Sequence, residues 1–301
     1  MSALRVALVT ARPARGLDED EPPLNMALQK AGCQVEVAEW DDPRVDWASF
    51  DIALLRSAWD YAERVVEFLA WVEAASRVTR VLNPLPLVRW NLDKHYLAEL
   101  AAAGVAVVPG TFIEPGQAAA TALRTFLDTY GQAELVVKPA VGAGSRDTCR
   151  YRRTELEAAV THAQRLLDAR RSVLLQPYLG RVDRDGETAL IFFEGRFSHA
   201  IRKGPLLLPG GAETRDLFAA ETITPRVPGA DELKLAQKVV SVLPFGTPLY
   251  ARVDLIRDDS GAPCVLELEM AEPSLFFAHA AGSADLFTAA VLRWVEAHGR
   301  E

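Results

Sequence analysis

Short apolar runs alternate with amphipathic segments through the first ninety residues. Four continuous apolar runs predict strands that are buried on both faces, at Leu4–Thr10, Cys33–Ala38, Ile52–Leu55 and Val81–Asn83. Helical spacing of apolar residues marks Leu24–Ala31, which Gly32 ends, and Val65–Ser76. Strands that alternate with helices in this way predict a small doubly wound α/β sheet.

The middle of the chain continues this alternation with shorter strands. Helices are predicted at Asn91–Ala103, Thr121–Tyr130 and Glu155–Arg170, and short strands at Leu135–Val137 and Ser172–Gln176. No glycine-rich dinucleotide fingerprint follows the first strand of the chain, so we do not expect a nicotinamide or flavin cofactor.

The C-terminal third carries longer strands in which apolar and polar residues alternate. Thr188–Phe193 and Arg196–Arg202 predict one hairpin, Leu249–Ile256 and Cys264–Met270 predict another, and Ala284–Ala297 predicts a last helix. This pattern is typical of a mixed or antiparallel sheet in an α+β unit. We therefore expect three units along the chain, at residues 1–90, 91–178 and 179–301.

Composition and charge narrow the classes of function. Lys and Arg number 33 against 41 Asp and Glu, and the net charge of −8 argues against non-specific binding to nucleic acid. The three cysteines lie far apart without a CxxC pair, so neither a zinc ribbon nor a disulfide framework is supported. No signal peptide and no membrane-length apolar run is recognised, so we expect a cytoplasmic protein without a membrane partner. A homo-oligomer is compatible with the sequence.

Two acids interrupt the last apolar strand. Glu267 and Glu269 point to one face because side chains alternate along a strand, and like charges so close repel unless a cation lies between them. Folding the second hairpin about its turn brings Asp254 roughly opposite them, with Arg252 on the same face. Three carboxylates suit Mg²⁺ or Mn²⁺. A solvated sheet face is the alternative, but the apolar flanks and the third acid in register favour the metal site.

Lys138 ends a short apolar strand and precedes a loop of small residues, Ala140–Arg146. A lysine beside the backbone N–H groups of Gly144 and Ser145 is suited to bind phosphate, although the Walker sequence is absent. A glycine-containing loop by itself is usually only a turn. Lys94 lies on a predicted helix, where a lone lysine more often faces solvent.

Other strand ends offer further ligand contacts. The turn after the strand ending at Gln176 could present backbone groups of Tyr178 and Leu179 to the edge of an adenine. Lys203 shares a face of its predicted strand with His199. The role of His199, like that of Glu272, stays open.

A substrate contact is expected where the third strand ends. Arg56, Ser57 and Trp59 follow the carboxyl end of that strand, the edge at which open α/β sheets bind ligands. Arg56 could pair with a substrate carboxylate and Trp59 could form a wall of the pocket. The alternative is that Trp59 packs in the core and Arg56 makes a structural ion pair.

The order of these residues resembles the ATP-grasp ligases, such as D-alanine–D-alanine ligase and glutathione synthetase, over about residues 90–280. The residues that carry the resemblance are Lys94, Lys138 with its loop, the Gln176–Leu179 turn, Glu187, Asp254, Glu267 and Glu269. The segments RSAWDY, NPLPLVRWNLDK, FFEGRFSHAIRKGP and ELEMAEPSLFF are similar to the D-cycloserine synthetase group of that family. The resemblance implies an ATP-grasp fold with a small doubly wound N-terminal domain, a lid subdomain and a C-terminal mixed or antiparallel sheet domain.

The resemblance also implies a role for each matching residue. Lys94 and Lys138 would hold ATP phosphates under the loop that contains Gly144 and Ser145. The adenine would be gripped by Gln176, Tyr178 and Leu179, and the ribose by Glu187. Two Mg²⁺ ions, with Mn²⁺ as the alternative, would be held by Asp254, Glu267 and Glu269, while Arg252 and Lys203 stabilise the transferred phosphoryl group. Glu269 stands where the family usually has Asn, and MAEPSL replaces a segment ending in Pro-Gly, which leaves the acceptor pocket near Ser274 undefined.

The implied activity is that of a carboxylate–amine ligase that forms an acyl phosphate from ATP. In the D-cycloserine synthetase group, the substrate is O-ureido-D-serine, an amino-acid-like carboxylate that is cyclised with release of ADP and phosphate. Two alternatives remain at this point, a ligase that joins two separate amino-acid or peptide substrates and a non-catalytic ATP-binding protein. The complete acid set with Arg252 argues against the second, because binding alone does not need that arginine.

Overall fold

The computed structural model describes residues 3–207 and 222–299, and residues 1–2, 208–221 and 300–301 lie outside the described residues. The first unit comprises β1 (Arg5–Thr10), α1 (Glu21–Lys30), β2 (Gln34–Glu39), β3 (Ile52–Ser57), α2 (Val65–Ala75) and β4 (Arg80–Leu82). Its strands are all parallel, in the order β2-β1-β3-β4. Apolar side chains cover both faces of the sheet, as the continuous apolar runs predict.

The second unit and the two helices before it comprise α3 (Leu85–Asn91), α4 (Tyr96–Ala102), β5 (Thr111–Ile113), α5 (Ala119–Tyr130), β6 (Glu134–Pro139), β7 (Cys149–Arg152), α6 (Leu156–Asp168) and β8 (Val173–Pro177). Its strands form an antiparallel sheet in the order β5-β8-β6-β7, in which α5 and α6 share a core with the strands. The predicted helix Asn91–Ala103 is wrong, because the chain turns between α3 and α4. Both helices pack on the third sheet through Leu87 and Tyr96.

The third unit comprises α7 (Val182–Asp185), β9 (Glu187–Phe193), β10 (Arg196–Lys203), β11 (Ile223–Arg226), α8 (Ala230–Ser241), β12 (Tyr250–Arg257), β13 (Pro263–Glu269) and α9 (Ser283–His298). Its strands form an antiparallel sheet in the order β11-β10-β9-β12-β13. The helix α8 and the short strands β5, β7 and β11 were not predicted from the sequence. The division of the chain into three units at residues 1–90, 91–178 and 179–301 stays a prediction.

The hairpin of β12 and β13 has the predicted register. Asp254 pairs with Glu267 and Arg252 pairs with Glu269, so the four side chains lie side by side on the ribbon. A bulge follows Asp254, where Leu255 pairs with Val265. The acids and the arginine therefore meet on one ribbon, as alternation along the strands requires.

Buried amides tie the first and third sheets together just beyond the strand ends. Asn83 donates to the carbonyls of Tyr250 and Met270, both at 2.9 Å, and accepts from the N–H of Leu249 at 2.7 Å. Asn91 donates to the Leu268 carbonyl at 2.7 Å. Such bonds satisfy backbone groups at the buried end of the ribbon and fix its position against the first unit. No helix within the described ranges is long and apolar enough to cross a bilayer.

Candidate active site

A cavity of about 550 Å³ lies where the three sheets meet, and its wall includes most of the residues singled out from the sequence. The predicted site residues on the wall are Trp59, Lys94, Lys138, Gly144, Ser145, Gln176, Tyr178, Leu179, Glu187, Lys203, Arg252, Glu267, Glu269 and Ser274. The tertiary structure therefore gathers side chains that the sequence spreads over more than two hundred residues. Asp254, Arg56 and Ser57 lie behind the wall.

Lys94 does not stand on a solvated helix face, as the usual position of a lone helical lysine would suggest. It lies in the turn between α3 and α4, where its backbone N–H donates to the Ala140 carbonyl at 2.9 Å. Its buried ammonium contacts Glu267 at 2.8 Å and donates to the Gly142 carbonyl at 3.0 Å. Burial opposes the charged form, but the carboxylates of Glu267, Glu269 and Glu272 together outweigh burial, so the pKa of Lys94 is raised. The turn thus holds a charged lysine under the glycine-containing loop.

Lys138 is a second buried lysine of the cavity wall, near the end of β6. Burial lowers its pKa to about 8, and the charge of Lys94 acts in the same direction. Glu267 and Glu187 offset this effect only in part. An anion in the cavity would stabilise the ammonium of Lys138, which is the behaviour expected of a phosphate-binding lysine.

Asp254 is almost fully buried and lies between two cationic side chains. Its carboxylate accepts from Lys203 Nζ at 2.8 Å and from Arg252 Nε at 2.9 Å. Burial acts to raise the pKa of Asp254, but the charges and hydrogen bonds of Arg252 and Lys203 together outweigh burial. The pKa of Asp254 therefore lies below its ordinary value. Lys203 also contacts Glu187 at 2.5 Å, so one ammonium bridges two acids.

The remaining predicted metal ligands are paired with cations in the same way. Glu267 contacts Lys94, and Glu269 accepts a short hydrogen bond from Arg252. Burial raises the pKa of Glu269 to about 8, and the neighbouring Asp254 and Glu267 add to this effect. Among the residues that the structure describes, no group of three or more acid, histidine or cysteine side chains is arranged to hold a metal ion. The acids are close neighbours in register, but ion pairs separate their carboxylates.

The loop between β6 and β7 covers the lysines. Gly144 and Ser145 have φ values of 62° and 60°, a left-handed conformation that favours glycine. Arg146 forms an ion pair with Glu63 of the first unit, and the Tyr61 hydroxyl lies 3.5 Å from the Gly142 carbonyl. The loop therefore rests against the first unit and closes one side of the cavity.

The end of the cavity beside β8 is largely apolar and has the character expected of a base-binding slot. Its wall contains Val108, Val136, Pro177, Leu179, Ile256 and Leu266. The Tyr178 ring carries the Arg150 guanidinium 3.5 Å from its centroid. The Tyr178 N–H already donates to the Glu134 carbonyl at 3.1 Å, so it is not the N–H group that we expected to meet an adenine.

Arg56 and Ser57 do not contact the cavity, against our expectation. Arg56 is 1% exposed and donates to the Pro273 carbonyl at 3.0 Å, with the Asp20 carboxylate at 3.5 Å. Ser57 Oγ donates to Thr10 Oγ1 at 2.8 Å. Both side chains belong to the interior, and Arg56 makes the structural ion pair that was the alternative. Trp59 lies on the wall and donates to the Glu272 carbonyl at 3.2 Å.

Asp20, which anchors the segment after β13, was not predicted as a site residue. Its carboxylate accepts the backbone N–H groups of Leu275, Phe276 and Phe277 at 2.5, 3.0 and 2.8 Å. His199 binds the same segment, because its Nε2 lies 2.8 Å from the Leu275 carbonyl, and burial lowers the pKa of His199. Asp20 lies in an acid-rich loop, LDEDEPP, in which no periodicity distinguishes a buried acid from its exposed neighbours.

Glu272 is the other acid to which the sequence assigned no role. It is 7% exposed and lines the cavity beside the Tyr61 hydroxyl. Burial raises the pKa of Glu272 to about 7, and Tyr61, Lys94 and Arg252 only partly offset this. Its place next to a proline within an apolar segment was the one signal in the sequence that could have pointed to it.

Comparison with known proteins yields one consistent group. The family model described as the N-terminal domain of D-cycloserine synthetase DcsG matches residues 6–83. The cycloserine biosynthesis protein DcsG of Streptomyces lavendulae is 46% identical over 275 residues, which are 90% of this chain and 92% of that protein.

Solved structures give the same result. A crystal structure of D-cycloserine synthetase DcsG matches with a TM-score of 0.90 and 43% identity, over 97% of this chain and 99% of that one. The D-alanine–D-alanine ligase of Bacillus anthracis matches with a TM-score of 0.66 and 16% identity, over 99% of this chain and 100% of that one, which is a likeness of fold alone.

Proposed function

The chain belongs to the D-cycloserine synthetase family of ATP-grasp ligases, and from this premise we propose that it cyclises O-ureido-D-serine to D-cycloserine with release of ADP and phosphate. The observation that carries the proposal is the joining, in one cavity, of an apolar slot, two buried lysines under a glycine-containing loop, and the ribbon with Arg252 and its acids. We further propose that residues 1–90 form the N-terminal α/β domain, residues 91–178 the lid domain, and residues 179–301 the C-terminal domain with the metal site.

ATP fits the cavity by the chemistry of its ends. The base would enter the apolar slot beside Gln176, Tyr178 and Leu179, and Glu187 would hold the ribose hydroxyls. The phosphates would lie between Lys94 and Lys138 with Gly144 and Ser145 above them. Lys138 supports this arrangement because burial disfavours its charge and an anion would restore it.

The donor set also suits a divalent cation. Burial, together with the neighbouring Asp254 and Glu267, raises the pKa of Glu269, so a cation in the cavity would stabilise its carboxylate, and carboxylate oxygens are the ligands that Mg²⁺ prefers. Glu267 and Glu269 line the cavity and would hold the ions together with Asp254, which would exchange its contacts with Lys203 and Arg252. Bound Mg²⁺, of which we propose two ions with Mn²⁺ as the alternative, would neutralise charge on the phosphates.

The chemical problem is that a carboxylate is a poor electrophile. Transfer of the γ-phosphoryl group of ATP to the substrate carboxylate makes an acyl phosphate, whose carbonyl carbon a nitrogen attacks while phosphate leaves. Arg252 and Lys203 lie on the wall where charge would gather on the transferred group, and their cations would stabilise it.

Ring closure gains from two properties of the cavity. The attacking nitrogen belongs to the same molecule as the acyl phosphate, so it is already at high effective concentration. The loop that carries Gly142 rests on Tyr61 and the Arg146 ion pair holds it to the first unit, which limits the access of water to the anhydride. Hydrolysis of the bond between the ring nitrogen and the carbamoyl carbon would complete the reaction, with water taking the carbamoyl group as carbamic acid, which breaks down to CO₂ and ammonia, and with a proton taking its place on the ring nitrogen.

The test is ADP release by the purified protein with MgATP and O-ureido-D-serine, with the product identified by mass. We expect ADP formation when this compound is the only substrate besides ATP. We expect Glu267→Gln to form no ADP, because this substitution removes the carboxylate charge while it keeps the shape of the side chain. A requirement for a second amine substrate would replace cyclisation by the joining of two molecules. ADP formation by Glu267→Gln at the wild-type rate would overturn the metal assignment.

A further inference from the structure

The cavity end that faces the first unit is acidic. The loop after β1 contributes Asp18, Glu19 and Asp20, and the segment after β13 contributes Glu272. Glu267 and Glu269, nearer the lysines, are already matched by Lys94 and Arg252. The acids of this end therefore need a separate explanation.

Three of the four acids have one. Asp20 binds the three N–H groups of the segment after β13. Asp18 is buried, accepts the Asp20 N–H at 3.0 Å and lies 3.8 Å from Arg56, so its charge serves the interior. Glu19 is exposed at the rim. These roles are structural or peripheral, and none of them extends to Glu272.

Glu272 differs from these acids in its surroundings. It is more than nine-tenths buried and lines the cavity, and within residues 3–207 and 222–299 it forms no ion pair. The polar group beside the Glu272 carboxylate is the Tyr61 phenol, and the Trp59 ring N–H donates to the backbone carbonyl of Glu272. A buried carboxylate on a cavity wall is costly unless a cation meets it there.

We propose that the Glu272 carboxylate binds the α-ammonium group of the amino-acid substrate. Arg252 donates to the carbonyl of Ser274, two residues beyond Glu272, at 3.2 Å, and the side chains of Arg252 and Glu272 both line the cavity. In an α-amino acid the ammonium and the carboxylate are attached to the same carbon, so one molecule can reach both. The proposal rests on the proposed function, which supplies a substrate with a free amino group and a carboxylate that is activated beside Arg252.

Binding of the ammonium by Glu272 would determine specificity. It would orient the carboxylate toward the phosphates and keep the amino group engaged, so that the α-nitrogen does not compete as a nucleophile. A carboxylic acid without the amino group would leave Glu272 buried and without a cation, and would bind more weakly for that reason.

The experiment compares Glu272→Gln with Glu19→Gln, which removes a carboxylate from the rim of the same wall. With O-ureido-D-serine, Glu272→Gln should raise the substrate KM by about 10- to 100-fold, the value of one charge-assisted hydrogen bond. The KM for ATP should stay within twofold. Glu19→Gln should change neither constant by more than twofold, and Glu272→Asp, which keeps the charge, should recover part of the loss.

A second ligand separates binding of the ammonium from a general effect on the wall. The deaminated analogue, with hydrogen in place of the amino group, should inhibit wild type and Glu272→Gln with equal constants. Greater weakening of the analogue in the variant would overturn the proposal, as would a substrate KM within threefold of wild type. Should Glu272→Gln fail to fold, equal affinity of the wild type for the analogue and the substrate would overturn it instead.

The result also distinguishes this inference from the proposed function. If wild type releases ADP with O-ureido-D-serine and Glu272→Gln binds it normally, only the inference falls. If a different amino acid is the substrate, cyclisation falls, and the same comparison with that amino acid and its deaminated form decides the role of Glu272. If no α-amino acid supports ADP release, both fall.

Discussion

Replacement of Asp20 by asparagine should destabilise the protein and disturb the substrate end of the cavity. The carboxylate accepts the backbone N–H groups of Leu275, Phe276 and Phe277, which lie 255, 256 and 257 positions after Asp20 in the sequence. These bonds hold the segment whose Ser274 and Phe276 line the cavity, and Phe276 itself has a φ of 54°. The segment has little regular structure of its own, so the position of its backbone depends on the carboxylate.

The size of the effect follows from the geometry at Asp20. One oxygen accepts two of the three N–H groups and the other accepts the third. Asparagine keeps two of these bonds at most, turns an NH₂ group toward the remaining N–H, and removes the negative charge beside the buried Arg56. Loss of one charge-assisted bond and weakening of two others give a destabilisation of about 3–5 kcal/mol.

Urea unfolding followed by tryptophan fluorescence measures this difference in free energy. Asp285→Asn is the matched control, because Asp285 is a solvent-accessible acid whose ion pair with Lys30 is 3.5 Å long and should be worth no more than about 0.5 kcal/mol. Below the unfolding transition, Asp20→Asn should also raise the KM for the amino-acid substrate more than the KM for ATP. A free energy of unfolding for Asp20→Asn within about 1 kcal/mol of the wild-type value would refute the reasoning.

Three further perturbations test other parts of the structure. Burial lowers the pKa of Lys138 to about 8, so its ammonium is present below that pH and is lost above it. ATP affinity measured by calorimetry should therefore fall about tenfold per pH unit above pH 8. Lys138→Arg should flatten this dependence, and a flat wild-type profile would contradict the assignment. Asn91→Ala leaves two buried backbone groups beside the end of β13 without partners and should cost about 2–5 kcal/mol in urea unfolding; a loss below about 1 kcal/mol would exclude Asn91 as an anchor of the ribbon. Gly186→Ala places a Cβ 2.5 Å from the Lys203 carbonyl oxygen at a φ of 72° and should lower the free energy of unfolding by about 2–4 kcal/mol. Thermal unfolding unchanged from wild type would show that the backbone just before β9 tolerates the side chain.

The hairpin of β12 and β13 was predicted correctly from the sequence, whereas the helix Asn91–Ala103 was not. The strict alternation in the β12–β13 hairpin predicted that Asp254 would lie opposite Glu267, and the register confirms it. The predicted helix Asn91–Ala103 was wrong because Asn91 ends α3 by binding the Leu268 backbone and the chain turns at Lys94. Helical periodicity continues across this turn, so the local pattern cannot reveal the break.

By itself, the sequence determined the strand and helix periods, the face on which each acid stands, and the order of residues that resembles the ATP-grasp ligases. Those properties depend on neighbours within a few positions, where alternation and helical spacing act directly. Only the tertiary structure decided that Arg56 serves the interior, that Asp20 holds a segment 255 residues away, and that Glu272 faces the cavity. The reason is physical: whether a charge is buried, paired or open to a ligand depends on groups that folding brings near from distant parts of the chain, and the energy of each contact changes steeply with distance and burial.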